Sequence, residues 1–223
     1  MIKAVLFDMD GILFDSEAYY MQGAYVWMKQ LGYQGAIETL YTTIGKDMKT
    51  MYQMFTAMLD DKVPYEVVKK TNEDYFLIDH PMHAKEWMFD GVEEVLKKLK
   101  ELDIKCAVCS SSDKFEIVKA LKQMEIEAYF DVVLSVQECA LPKPAGDIYE
   151  TACKRLGLNS HECIVYEDSE SGILAGINAG MYTVAREEKR FNLDQSKANR
   201  IVKDIDELYK VVMEMRDING RSH

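Results

Sequence analysis

Short apolar runs recur along the chain, and each ends abruptly in polar residues. They are 3–7 (KAVLF), Ile104–Cys109, Val132–Ser135, Cys163–Tyr166 and Met181–Val184. Between them lie stretches of helical periodicity, starting near Gly91 (VEEVLKKLKEL), Asp113 (KFEIVKALKQM), Asp147 (IYETACKRLG) and Ser169 (ESGILAGINAG), with a further amphipathic helix at IDELYKVVMEM. Parallel strands need a crossover between them, and a helix of this length supplies it. The expected fold class is therefore α/β, a doubly wound, Rossmann-like parallel sheet with both faces covered.

One stretch breaks the alternation. Residues 16–88 carry helical patterns rich in Tyr, Met and charge, and no convincing strand. They read as an inserted all-helical domain, which leaves 1–15 and 89–223 as the α/β core. Met28, Met51, Met54 and Met58 could form a flexible binding surface, but packing inside the helical unit is the simpler role.

Composition narrows the function. The 223 residues are 48% hydrophobic and 29% charged, which is ordinary for a globular protein. The net charge is −11 and no basic stripe with interleaved aromatics is visible, so nucleic acid is not an expected partner. No apolar run is long enough to span a bilayer, so no membrane association is expected, and the first run is a poor signal peptide. The five cysteines are odd in number and read as reduced, which points to a cytoplasmic protein. Cys106 and Cys109 have CxxC spacing, but on a strand they would point to opposite faces. His80 and His83 make an HxxH with no further ligands clustered around it. An acidic protein that handles phosphate needs a cation, placed lysines and helix N-termini.

Four polar sets lie just past the apolar runs, where open α/β sheets hold their ligands. Asp8-Met9-Asp10-Gly11 offers two carboxylates at a strand terminus, one able to attack while the other moves protons. Ser110-Ser111-Ser112 offers hydroxyls and backbone N–H groups that suit a phosphate. Lys143, between Pro142 and Pro144, supplies fixed positive charge. Glu167-Asp168-Ser169 offers acids that suit a hard cation such as Mg²⁺, with Gly172 permitting close packing beyond. Each set alone has a plain structural reading: a turn, a helix cap, a surface lysine, an acidic helix start. All four in order, each after a strand, are far harder to obtain by chance.

In that order the motifs resemble the haloacid dehalogenase superfamily, in its β-phosphoglucomutase-like branch of small phosphatases. FDMDGILFDSE resembles the first motif of that branch, VCSSS the second, KPAGDIY the third and YEDSESGILAGINAGM the fourth. The resemblance implies that Asp8 is phosphorylated and that Asp10 is general acid and then base. It implies that Ser110 and Lys143 hold the transferring phosphoryl group, with Ser111 and Ser112 beside it. It implies that Asp8, Asp168 and the Asp10 main-chain carbonyl bind Mg²⁺, with Glu167 near or in the shell. The strand that ends at Asp8 would lie centrally, beside the strands preceding Ser110 and Glu167, and the helical insert would be a mobile cap that meets the rest of the substrate.

The implied function is a Mg²⁺-dependent phosphatase acting on a small phosphorylated metabolite, a sugar phosphate among the candidates. Two alternatives stay open: a hexose-phosphate mutase, and a non-catalytic phosphate-binding protein on the same fold. The mutases of the branch carry a histidine where this chain has Tyr20, and Ile44, Met48 and Thr71 align with their basic cap residues. Dehalogenases lack the second aspartate, and Asp10 is present. Within the cap, Lys46 beside Gly45 is the residue expected to touch substrate.

Overall fold

A computed structural model of the protein describes residues 1–191 and 193–220. Contacts divide the chain into two compact units, one of residues 1–15 and 84–223, the other of residues 16–83. The strands are β1 (Ala4–Phe7), β2 (Lys105–Ser110), β3 (Val132–Ser135), β4 (Cys163–Glu167), β5 (Tyr182–Arg186) and β6 (Arg200–Val202). The α-helices are α1 (Ser16–Gln30), α2 (Ile37–Leu40), α3 (Met48–Met58), α4 (Tyr65–Asp74), α5 (Val92–Glu101), α6 (Lys114–Gln123), α7 (Asp147–Leu156), α8 (Glu170–Asn178) and α9 (Ile205–Gly220).

All strands belong to the larger unit and pair parallel in the order β3-β2-β1-β4-β5-β6. This is the doubly wound Rossmann-like core read from the sequence. The order turns at β1, whose Phe7 is level with Val108 of β2 and Tyr166 of β4. The residues that follow these three strands therefore leave the sheet side by side, at the point where such folds hold ligands. Every residue of β1 and β4 is buried, as an apolar run covered on both faces requires.

Leu6, Cys109 and Val165 pack in one cluster with Tyr149, Ala152 and Leu156 of α7. Fully burying a leucine or valine side chain contributes about 1.5–3 kcal/mol, so this face alone anchors β1 firmly. Cys106 is buried but lies outside that cluster, consistent with alternating sides. The five cysteines are free thiols, and burial pushes those of Cys106 and Cys109 far above the usual range.

The inserted unit is helical among its described residues, with α1 to α4 packed around Trp27, Met28, Leu40, Tyr52, Phe55 and Val68. The Trp27 and Phe55 rings meet edge to face at 5.5 Å. Met28 is fully buried and Met51 and Met58 pack against the same cluster, so these methionines serve the core of the unit. Asp47 caps α3, its carboxylate accepting from the Thr50 N–H at 3.0 Å. Among the described residues no helix is long and apolar enough to cross a membrane.

Candidate active site

Asp8 is the first residue past β1, and its N–H donates to the Tyr166 carbonyl at 2.9 Å as the ladder ends. The chain then turns: the N–H of Leu13 donates to the Met9 carbonyl at 2.8 Å, and that of Gly11 to Phe14 at 3.0 Å. Gly11 has φ +73°, and a Cβ there would lie 2.1 Å from Asp168 Oδ2. Only glycine lets the Asp168 carboxylate lie against this loop.

Lys143 enters from the loop before α7, with its side chain 5% exposed. Its Nζ donates to Asp8 Oδ1 at 2.5 Å, Glu167 Oε1 at 2.6 Å and the Cys109 carbonyl at 3.1 Å. It also stands 5.1 Å from the centre of the Tyr149 ring. Burial opposes its charge, but Asp8 and Glu167 overcome that and hold its pKa well above the usual lysine value. The ammonium is therefore permanent at neutral pH.

Glu167, the last residue of β4, is wholly buried. Its Oε1 accepts from Lys143 and from the Tyr149 hydroxyl at 2.9 Å. Its Oε2 accepts from the N–H of Asp168 at 3.0 Å, the N–H of Ser169 at 3.1 Å and the Ser169 hydroxyl at 3.0 Å. Burial alone would raise its pKa; Lys143, the Ser169 N–H and Tyr149 together keep it below the usual carboxylate value. A Cβ on Gly172 would sit 1.6 Å from Glu167 Oε1.

The other two acids are less well compensated. Burial pushes Asp8 up to about 7, with Lys143 opposing and the charges of Glu167 and Asp10 adding to the rise. Burial, then Glu167 and Asp8, push Asp168 well above the usual value. Ligand oxygens of Asp8, Glu167 and Asp168 lie within 4.8 Å of one another. Three buried carboxylates facing one ammonium leave an excess of negative charge, and an all-oxygen set fits a hard divalent cation. Since both oxygens of Glu167 already receive protein donors, Asp8 and Asp168 are the carboxylates best suited to ligate, with Glu167 bracing them.

At the exit of β2, Ser110 is buried and its Oγ accepts from the Ser112 N–H at 3.1 Å. The Ser112 hydroxyl donates to Asp10 Oδ2 at 3.3 Å, a long bond, and the Ser135 hydroxyl donates to the Ser112 carbonyl at 2.7 Å. Ser111 is exposed between them. Asp113 then caps α6 by accepting from the Glu116 N–H at 3.0 Å.

Thus Asp8, Lys143, Glu167 and Asp168 are in one cluster, and Asp10 is joined to the serine turn. Lys46 lies in the inserted unit, exposed on the loop before α3. Tyr20 is half exposed against Tyr19 and Phe76, at 5.0 and 5.5 Å between ring centres. His80 rests 4.3 Å from the Tyr75 ring, and neither it nor His83 is in the acidic cluster. Ser169, named with the fourth polar set, donates its hydroxyl to Glu167, and two residues not singled out from the sequence also take part: Tyr149 on Glu167, and Gln195, whose Nε2 donates to the Asp168 carbonyl at 2.7 Å.

A buried acid cluster with one lysine, at the switch point of a doubly wound sheet with a helical insert, defines a class, and comparison with known proteins gives the family. The model of the haloacid dehalogenase-like hydrolases matches residues 5–186. The chain belongs to that family. It is 30% identical over 182 residues to the phosphorylated carbohydrates phosphatase of Thermotoga maritima, covering 81% of this chain and 82% of that one. It is 25% identical over 198 residues to the β-phosphoglucomutase of Bacillus subtilis, covering 82% of each. A family hydrolase from Deinococcus radiodurans, solved with bound phosphate and sodium, superposes with a TM-score of 0.80 at 21% identity, covering 96% of both chains.

Proposed function

We propose that the protein is a phosphoric monoester hydrolase acting on a small phosphorylated metabolite through phosphorylation of Asp8. The observation that carries this reading is the Lys143 ammonium, buried and shared between Asp8 at 2.5 Å and Glu167 at 2.6 Å. The kinship with a phosphatase of phosphorylated carbohydrates supports the substrate class.

Phosphoryl transfer asks mainly for positioning and charge neutralisation. Burial works against an ionised Asp8, and Lys143 works for it. An Asp8 carboxylate oxygen attacks phosphorus as the bond to the leaving oxygen breaks, and Asp10 donates its proton to that oxygen. Water then attacks the acyl phosphate on Asp8 while Asp10 takes a proton, which releases inorganic phosphate and restores the free carboxylate. Lys143, Ser110 and the backbone N–H groups opening α6 hold the phosphoryl oxygens. A Mg²⁺ ion, held by Asp8, Asp168 and the Asp10 carbonyl, would add the positive charge that this acidic cluster otherwise lacks.

Tyr20, in place of the histidine of the mutases, favours hydrolysis over isomerisation. The insert is the proposed determinant of substrate choice, with Lys46 as its contact residue.

The test is phosphate release from a panel of phosphorylated metabolites. Release is expected from at least one member, lost on exhaustive chelation and restored by Mg²⁺ better than by Ca²⁺. Isomer exchange without net release would favour the mutase. Asp10→Asn is expected to slow the first step more for alkyl than for aryl phosphates, by about 10²-fold or more, since it cannot protonate a poor leaving group. Equal losses on both in single-turnover transfer would remove Asp10 as the acid.

A further inference from the structure

We propose that Gln195 is a positioning residue that sets Asp168 for divalent-cation binding. The inference rests on the reading of Asp8 and Asp168 as cation ligands.

Asp168 lies in the short link between β4 and α8, where no strand ladder or helix holds it. Two side chains hold its backbone instead. Its N–H donates to Glu167 Oε2 at 3.0 Å, and its carbonyl accepts from Gln195 Nε2 at 2.7 Å. The amide of Gln195 is itself fixed. Nε2 also donates to the Arg186 carbonyl at 2.7 Å, and Oε1 accepts from the Glu188 N–H at 3.1 Å. Both donors and one acceptor of the carboxamide are thus used, on a side chain only 7% exposed.

The consequence is geometric. The Asp168 carboxylate is pressed against Gly11, with no space for a methyl group between them. Rotation of the Asp168 backbone would swing that carboxylate away from Asp8. Gln195 opposes the rotation by tying Asp168 to the exit of β5. Mg²⁺ tolerates little departure from octahedral geometry, so a loosened ligand weakens it. Outer partners of metal ligands typically carry about 10–100-fold in affinity.

Gln195 also belongs to the connection between β5 and β6, and a merely structural role there has to be separated. That connection has another anchor, on Thr183, which is level with Val165, three residues before Asp168. Asn199 Oδ1 accepts from the Thr183 N–H at 2.8 Å, and its own N–H donates to the Thr183 carbonyl at 2.9 Å.

The experiment is calorimetric titration of the metal-free full-length protein with MgCl₂, with thermal melting of each variant alongside. Gln195→Met keeps the length and removes the hydrogen bonds, and Asn199→Ala loosens the same connection elsewhere. Gln195→Met is expected to weaken the Mg²⁺ Kd by about tenfold or more, and Asn199→Ala to leave it within about twofold although Tm falls. Should Gln195→Met not fold, Gln195→Glu is read in its place. It keeps the acceptor for Glu188 but turns an oxygen toward two carbonyls, and the same weakening is expected. An unchanged Kd in the folded Gln195 variant, or an equal loss in Asn199→Ala, would overturn the inference. Loss of binding in Asp168→Asn with retention in the Gln195 variant would overturn it alone. Failure of the wild type to bind Mg²⁺ would bring down the cation reading, and the inference with it.

Discussion

One methyl group placed at residue 172 would strike the carboxylate on which the proposed chemistry depends. A Cβ there would lie 1.6 Å from Glu167 Oε1, the oxygen shared by Lys143 and Tyr149. Glu167 cannot retreat, because its other oxygen is held by Asp168 and Ser169. Gly172→Ala should therefore displace Glu167 and, through it, Lys143 from Asp8. The expected outcome is a fall in kcat of about 10²-fold, with a stability loss of about 1–3 kcal/mol, read from steady-state kinetics and thermal melting. A variant with wild-type kcat would show that Lys143 is not positioned through Glu167. At this scale the candidate acids were legible, since Asp8, Asp10, Glu167 and Asp168 stand where apolar runs stop. Tyr149 was not, because a tyrosine at a core position of an amphipathic helix looks like packing, and its hydroxyl finds Glu167 only when α7 docks on β4. Gln195 sits in a connection with no periodicity, so only the fold brings it to Asp168.

The strands start from tied positions as well as ending at functional ones. Lys3, just before β1, pairs with Glu162, just before β4, at 2.6 Å, and Glu162 also accepts from the Asn159 N–H at 2.9 Å. These partners, Lys3 foremost and then Asn159, draw the Glu162 pKa from its ordinary 4.5 down to about 2. A carboxylate depressed in the folded state stabilises it above the unfolded pKa and loses that contribution as pH falls toward the folded one. The Tm gap between the wild type and Glu162→Gln should therefore hold constant at neutral pH and shrink as pH falls below about 4.5. A gap that stayed constant down to about pH 3 would contradict the pairing. The elements themselves were mostly legible: the apolar runs became β1 to β5, and the helices between them formed near their caps. β6 escaped because Arg200 and Ile201 are exposed and only Val202 is buried, so no apolar run marks it. The helix read as starting near Asp113 does so, with Asp113 accepting from the Glu116 N–H.

For the whole molecule, strand order turns a set of separated motifs into one site. Motifs near residues 8, 110 and 167 are adjacent because β1 lies between β2 and β4. Lys143 joins them through the loop before α7, and places one fixed cation in a protein of net charge −11. The alternation of runs and helices made that sheet legible, whereas the substrate was not. Its proposed determinants lie in the insert, whose Tyr- and Met-rich helices carry a packing pattern rather than a recognition motif. The proposed chemistry turns on the phosphorylation of Asp8. The most direct measurement is to mix the Asp10→Asn variant with Mg²⁺ and an aryl phosphate, quench in acid, and map the modified peptide by mass spectrometry. One phosphoryl group is expected, on Asp8, and none in the Asp8→Asn protein. A phosphoryl group on another residue, or turnover by Asp8→Asn within about tenfold of the wild type, would contradict that chemistry.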